Sequence, residues 1–401
     1  MKIAFVVQRY GVEVAGGAEA LCRQTAHALA TSGHQIVIYT TTARDYLHWS
    51  SFYAEGYELD GRVEVLRYNA DPADPVAASR LGRELGLGWG DWHREVEWAR
   101  AQGPISRPLL EDVAEKVNDY DAVALWTYLY ATTQLAMPLV SDRAILVPTA
   151  HDEPMFRFRL TRGLMALAAG FAFLTPEEQQ LAAETHAIAG RPQMVVGAGL
   201  HPTTSDRNGS RRLRGLPPRF ALYLGRVDPG KGIESLFVAH AAYRAAGGTL
   251  ELVLAGRRPD GVHVPDWVLD LGFVDEPTKA TLLATCEVLV LPSVNESLSL
   301  VLMEAWQVGT PTLAIATNPV LAAQTARSGG GLVYRDAADY RDRLTLITEN
   351  SLLRARLSTQ GSRWATGQTW EAVTGRWEAL VAAVALGRAG RAGSGTTDDG
   401  E

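Results

Sequence analysis

The 401 residues contain only two cysteines, Cys22 and Cys286. They lie far apart, each in an apolar run, so neither a disulfide framework nor a cysteine metal cluster can be built from them. A reducing cytoplasm is the expected compartment. Long hydrophobic runs are also missing. Val288–Pro292 and Leu380–Leu386 fall far short of the roughly 18 apolar residues that span a bilayer, so no integral membrane segment is expected. The opening MKIAFVVQRY has one lysine and an apolar run too short for a secretory signal. Peripheral contact with the inner membrane face stays open. There is no excess of positive charge: 38 Lys and Arg face 45 Asp and Glu, a net charge of −7. That excludes a general nucleic-acid binder, which needs a basic footprint. Neither GxGxxG nor GxxxxGK[ST] occurs, which argues against a dinucleotide fold or a P-loop enzyme. No solenoid repeat is visible.

The remaining composition is that of a folded globular protein, 47% hydrophobic and 21% charged. Short β-branched runs alternate with Ala/Leu-rich amphipathic stretches throughout. Expected strands are Ile3–Val7, Gln35–Thr41, Val63–Tyr68, Ala122–Trp126, Ala144–Pro148, Phe171–Leu174 and Gln193–Val196. After a polar stretch the alternation restarts with Phe220–Leu224, Leu250–Leu254, Leu271–Val274, Val288–Leu291, Thr312–Ile315 and Gly331–Tyr334. Strands separated by helical crossovers predict parallel α/β sheets. The expected layout is a domain over 1–200, a linker over 201–218, a second domain over 219–365, a terminal helix over 366–386 and a disordered tail over 387–401.

Three segments can carry chemistry. After the first strand, the loop Arg9–Gly17 ends in Gly16-Gly17, and Glu19 opens a helix. Glycines at a strand's carboxyl end let a ligand approach the backbone, and the helix start offers N–H groups to anions. Read only as structure, the same residues are a helix-start turn with Glu19 stabilising the macrodipole. The second segment, Tyr223–Gly232, places Gly225, Arg226, Lys231 and Gly232 after a strand. Arg supplies a forked contact and Lys a point charge, which suits a diphosphate better than a solvated surface pair. In the third, Glu296 and Glu304 lie either side of an expected helix start near Ser297. The N–H groups of Ser297, Leu298, Ser299 and Leu300 would then face a phosphate. A helix cap beside an unrelated acidic residue is the plain alternative.

These segments carry a family resemblance. GGAE at 16–19, GRVDPGKG at 225–232, LAG at 254–256, GFV at 272–274 and PSVNESLSLVLMEAWQVGTP at 292–311 resemble the retaining family 4 glycosyltransferases. The resemblance implies the GT-B fold, two Rossmann-like doubly wound domains facing across a cleft, with acceptor binding in the N-terminal one. It implies a nucleotide diphosphate-sugar donor, UDP- or GDP-linked, a hydroxyl acceptor (glycan, lipid-linked sugar or small molecule), and no cofactor or metal. Gly16 and Gly17 would approach the donor. Arg226 and Lys231, beside Gly225, would hold the diphosphate and stabilise the leaving group. Glu304 would bind the ribose, and Glu296 the hydroxyls of the transferred sugar. Gly272, Phe273 and Val274 would line the base pocket. His151, after the strand Ala144–Pro148, resembles the active-site histidine of the N-terminal domain; by its residues alone, His151-Asp152-Glu153 also reads as a metal site or a loop cap. One departure stands out. Many members have EGFG where this chain has Glu296-Ser297-Leu298-Ser299, a less permissive turn.

Asp119-Tyr120-Asp121 spells DxD, a metal–diphosphate motif of another glycosyltransferase fold, but it precedes its strand and reads as a turn. Arg157, Arg159 and Arg162, interleaved with Phe156 and Phe158, read as a solvated helix face. Trp49, Trp89, Trp92 and Trp98, with Tyr46, Phe52, Tyr53 and Tyr57, are expected to be mostly core, a few lining an acceptor groove. A nucleotide-sugar epimerase and a non-catalytic nucleotide-sugar-binding protein are the alternative readings of the same architecture.

Overall fold

The computed structural model describes residues 1–14, 16–203, 215–259 and 261–394. The chain divides into two compact units, Met1–Ala198 with Trp370–Glu401, and Gly199–Thr369. Residues 204–214 of the expected linker and 395–401 of the expected tail lie outside the described residues.

Apolar runs without polar interruption make strands buried on both faces, which only a sheet covered by helices on each side can accommodate. In the first unit the elements are β1 (Lys2–Val6), α1 (Gly17–Thr31), β2 (Gln35–Thr41), β3 (Gly56–Asp60), β4 (Val63–Tyr68), α2 (Pro75–Gly86), α3 (Trp92–Gln102), α4 (Arg107–Lys116), β5 (Ala122–Trp126), α5 (Ala131–Val140), β6 (Ala144–Val147), α6 (Arg159–Leu167), β7 (Gly170–Phe173), α7 (Pro176–Thr185) and β8 (Gln193–Val195). The sheet order is β3-β4-β2-β1-β5-β6-β7-β8, parallel except for the antiparallel β3–β4 pair. β5, β6 and β7 are buried throughout. Val6, Leu125, Leu146 and Phe171 pack against Met137 and Leu164 of the covering helices. β3 is absent from the sequence expectation for a physical reason. Its alternation is only four residues long, Tyr57-Glu58-Leu59-Asp60, and its apolar side chains are exposed, so this edge strand has no buried face.

The second unit contains β9 (Phe220–Leu224), α8 (Ile233–Ala245), β10 (Glu251–Ala255), β11 (Val268–Asp270), α9 (Glu276–Thr285), β12 (Val288–Leu291), α10 (Leu300–Gln307), β13 (Thr312–Ile315), α11 (Pro319–Ser328), β14 (Gly331–Tyr334), α12 (Ala337–Glu349) and α13 (Ser351–Thr366). Its all-parallel order is β11-β10-β9-β12-β13-β14. One expected strand is displaced: β11 ends at Asp270, and 271–274 is a loop at its carboxyl end. Gly272 at φ +63° breaks the extended backbone there.

Apart from the antiparallel β3–β4 edge pair, both sheets reverse their strand order at one point, between β1 and β5 in the first and between β9 and β12 in the second. Ligands of doubly wound sheets bind at the carboxyl ends flanking that point. The loops following these four strands are therefore where function is to be sought.

The last helix, α14 (Trp370–Ser394), belongs to the first unit. Val373, Trp377, Leu380, Val381 and Val384 form a buried stripe at helical spacing. The Trp377 ring lies 5.8 Å from Phe5 of β1 and 6.3 Å from Trp126 of β5. Each such side chain contributes roughly 1.5–3 kcal/mol by burial. The helix continues through 387–394, the first part of the expected disordered tail, so that boundary is corrected.

Candidate active-site residues

In the second unit, β9 delivers the chain into Gly225, Arg226 and a one-turn 3₁₀ helix, Pro229–Lys231, before α8. Gly232 makes the turn at φ +73°, and a Cβ there would lie 2.4 Å from the carbonyl oxygen of Pro292. Only glycine lets the loop after β9 lie this close to the loop after β12. That approach places Lys231 Nζ 2.7 Å from Glu296 Oε1 and 3.4 Å from the Asn295 carbonyl. Arg226 Nε lies 3.4 Å from Asp228 Oδ2, and its carbonyl accepts the Tyr223 hydroxyl at 2.6 Å. Gly225 N–H donates to Ala255 O at 3.1 Å.

The helix after β12 starts three residues later than expected. α10 begins at Leu300 with Ser299 as its N-cap, so Glu304 stands a little over one turn in. Ser297 and Leu298 belong to the preceding loop. The Ser299 N–H donates to Gln324 Oε1 at 3.1 Å, and Gln324 Nε2 returns a bond to Ser299 O at 3.2 Å. The Ser299 amide is thus consumed by α11 and does not serve as a phosphate donor, contrary to the expectation. Asn318 Nδ2 holds Val294 O at 2.9 Å, a second buried brace on the same loop. These two braces hold the turn made by Glu296-Ser297-Leu298-Ser299.

Glu304 meets Lys279 Nζ at 2.9 Å, and Lys279 also reaches Glu276 at 2.7 Å. Burial pushes the Glu304 carboxyl up, and Lys279 offsets part of that. Burial pulls the Lys279 ammonium down, but the two carboxylates outweigh it and hold it above its ordinary value. Gly272 is engaged at both backbone groups: its N–H donates to Asp270 Oδ1 at 2.9 Å, and its carbonyl accepts Gly256 N–H at 2.8 Å. Phe273 is exposed, with the Arg257 guanidinium 4.8 Å from its ring centre, and Val274 is half-buried.

In the first unit, Gly16 caps α1, and a Cβ there would lie 2.1 Å from Glu19 Oε2. Gly17 has open space where a Cβ would stand. Glu19 is buried in an ion pair with Arg9 and accepts Gln8 Nε2 at 2.8 Å. Arg9 also donates to Arg44 O at 2.9 Å. Glu19 therefore locks the loop after β1 rather than presenting a carboxylate to a ligand.

His151 follows β6 and lies 3.6 Å from Glu153 Oε1, which accepts the Tyr128 hydroxyl at 2.7 Å. Beneath it Glu178, wholly buried, accepts Ala150 N–H at 2.7 Å and Leu174 N–H at 2.6 Å. Burial pushes Glu178 up to about 7 against those two bonds. Asp152 is exposed and paired with Arg157. Among the described residues no three His, Cys, Asp or Glu groups are placed to share a metal. Asp121 of the DxD accepts the Lys2 backbone N–H at 2.8 Å, at the amino edge of β5 and away from the ligand end. Trp49 and Trp98 are buried, whereas Trp89 and Trp92 are exposed.

Sequence reasoning missed Arg9, Lys279 and Glu178. Arg9 carried a signal, a cation just past a strand end as in Arg226. Glu178 was masked by its local pattern: Thr175-x-x-Glu178 reads as a capping box, and Thr175 Oγ1 does accept Glu178 N–H at 3.2 Å, but the carboxylate turns to another loop.

Residues 210–364 match the family model described as glycosyl transferases group 1. A D-inositol 3-phosphate glycosyltransferase from Stackebrandtia nassauensis is 28% identical over 243 residues, 54% of this chain and 55% of that protein. The chain thus spans about half the length of the first curated relatives it matches. One from Actinosynnema mirum is 28% identical over 95% of both chains. Among solved structures, sucrose-phosphate synthase from Thermosynechococcus elongatus superposes with a TM-score of 0.69 at 18% identity, covering 94% of this chain and 98% of that one. Anabaena HepE in complex with UDP and glucose gives 0.66 at 15% identity, over 95% and 99%. These two likenesses are of fold. No helix among the described residues is long and apolar enough to cross a membrane.

Proposed function

From a chain that belongs to the glycosyl transferases group 1 through residues 210–364, on the GT-B fold, we propose a retaining glycosyltransferase that moves a sugar from a UDP- or GDP-sugar to a hydroxyl acceptor. The observation that carries this reading is the meeting of Lys231 and Glu296 across the loops that follow β9 and β12, where the sheet order reverses, with Arg226 on the same loop as Lys231. HepE, solved with UDP and glucose, supports a nucleotide-linked donor.

In this reading Arg226 and Lys231 bind the diphosphate and stabilise the charge that develops as it leaves. Glu304, kept paired by Lys279, binds the ribose hydroxyls. Glu296, oriented by Lys231, holds hydroxyls of the transferred sugar. In the first unit, Gly17 leaves open space at the start of α1, whereas the missing Cβ of Gly16 makes room for Glu19; His151 is assigned to the acceptor. The acceptor oxygen forms the new bond to the anomeric carbon as the bond to the phosphate oxygen breaks. The acceptor proton passes to the departing phosphate on the same face, so no carboxylate nucleophile and no protein base are required.

The experiment is a screen of UDP-, GDP- and ADP-sugars for donor turnover, followed by the product anomer from proton NMR coupling constants. An α-linked donor is expected to give an α product. A β product overturns the mechanism.

A further inference from the structure

The crossover from β4 to β5 holds three helices where one would close it. α4 contributes Leu109 and Val113 to the main core of the first unit. α2 and α3 are additional, and they pack around a small core of their own: Leu81, Leu85, Trp98 and Ala99, with Phe158. Between this pair and the loops that follow β2, β5 and β6 lies a cavity of about 430 Å³, lined by Leu47, Ala78, Trp98, Leu129, Met155 and Glu153. All of these residues belong to the first unit.

We propose that this cavity receives the acceptor, and that the acceptor is an uncharged molecule with an apolar ring body, anchored by a hydroxyl other than the reacting one that donates to Glu153. The inference rests on the transferase reading and names its substrate class. The volume is that of a pocket for a small molecule of one or two rings. The walls are mostly aliphatic and aromatic, with Ser79, Arg83 and Gln102 also on the lining, which favours an apolar body. The polar end is a single carboxylate whose Oε1 is held by the Tyr128 hydroxyl and faces His151, leaving Oε2 to accept an O–H. Burial alone would push Glu153 up, but its bonds to His151 and Tyr128 outweigh that and hold it below its ordinary value. It is therefore ionised near neutrality and can only accept.

A phosphorylated acceptor fits poorly. The one cation on the lining is Arg83, exposed at the rim. The amino ends of α2 and α3, which would otherwise attract an anion, are capped by the chain's own Asp74 and Asp91 carboxylates at 2.9 and 3.0 Å. Only the α2 end, at Pro75, borders the cavity, and there the Asp74 carboxylate already takes the place an anion would use.

Saturation-transfer NMR on the full chain tests this with two probes, phenyl β-D-glucopyranoside and D-myo-inositol 3-phosphate, with UDP in the same tube. The aryl protons of the glucoside are expected to receive the strongest saturation. Ser79→Phe, which fills the cavity from its exposed rim, is expected to weaken glucoside binding at least fivefold. Glu153→Ala should weaken it about tenfold, as for a lost charged hydrogen bond. Arg83→Ala should leave it unchanged. Aryl saturation that persists in Ser79→Phe would overturn the placement. Preferential binding of the inositol phosphate, abolished by Arg83→Ala, would overturn the substrate class. UDP binding reports on the transferase reading alone, so a failure of either inference is distinguishable from the other.

Discussion

Lys231 and Glu296 are 65 positions apart in the chain and 2.7 Å apart in space. The two sheet-edge loops are coupled through this ion pair, whose side chains are only 25% and 17% exposed. Removing either partner leaves a half-buried charge without its counterion. Lys231→Ala is expected to lower kcat/KM for the donor about a hundredfold. Glu296→Gln should lower the rate comparably and leave no glycosyl-enzyme detectable by intact-protein mass spectrometry. The double variant should lose less than the product of the two, since the residues act as one unit. Strict additivity in the kinetic double-mutant cycle would refute the coupling.

Metal chelation should be without effect. Two cations, Arg226 and Lys231, follow β9 where the diphosphate is proposed to bind, and the only Asp-x-Asp of the sequence binds the backbone of Lys2 instead. Turnover in millimolar EDTA should match that in Mg²⁺. Loss in EDTA restored by Mg²⁺ or Mn²⁺ would show that the diphosphate is held differently.

Lys279 keeps the Glu304 carboxyl from rising further. Lys279→Met should raise it, so that donor binding weakens as the pH falls and the carboxylate protonates. Donor KM in the variant is expected to climb about tenfold between about pH 8 and pH 6, while wild type stays nearly flat. Lys279→Arg should restore the flat profile. Parallel profiles for wild type and the methionine variant would exclude this role.

Glu178 gives stability its own pH dependence. Its carboxyl is raised from 4.5 to about 7 by burial. The folded state thus favours the neutral form, and the stabilisation is complete below the unfolded value and lost as the pH rises through about 7. Wild type should lose on the order of 1–3 kcal/mol from this group between about pH 5 and pH 8. Glu178→Gln carries no titrating proton, so its Tm relative to wild type should improve over that range. Parallel Tm curves would contradict the shift.

The terminal helix offers an internal comparison. Trp377 is 1% exposed and Leu386 is 75% exposed. Trp377→Ala should cost about 3–5 kcal/mol in urea unfolding, and Leu386→Ala close to nothing. Similar losses from both would mean that α14 does not pack on β1 and β5 through its buried stripe.

Alternation of apolar runs with amphipathic helices was enough, from sequence alone, to establish two α/β units and nearly every central strand, because a strand buried on both faces must be apolar throughout. The family motifs likewise marked Arg226, Lys231, Glu296 and Glu304, whose spacing survives in the linear chain. Tertiary structure decided what each of them meets. The Ser299 amide goes to Gln324, Glu19 to Arg9 and Glu304 to Lys279. None of these partners is set by local spacing, because each arrives on a different element whose position depends on how strands order themselves in the sheet. The same holds for β3, an edge strand with no buried face, and for the pocket between α2, α3 and the strand-end loops. Periodicity records which face of an element is buried; it does not record which other element buries it.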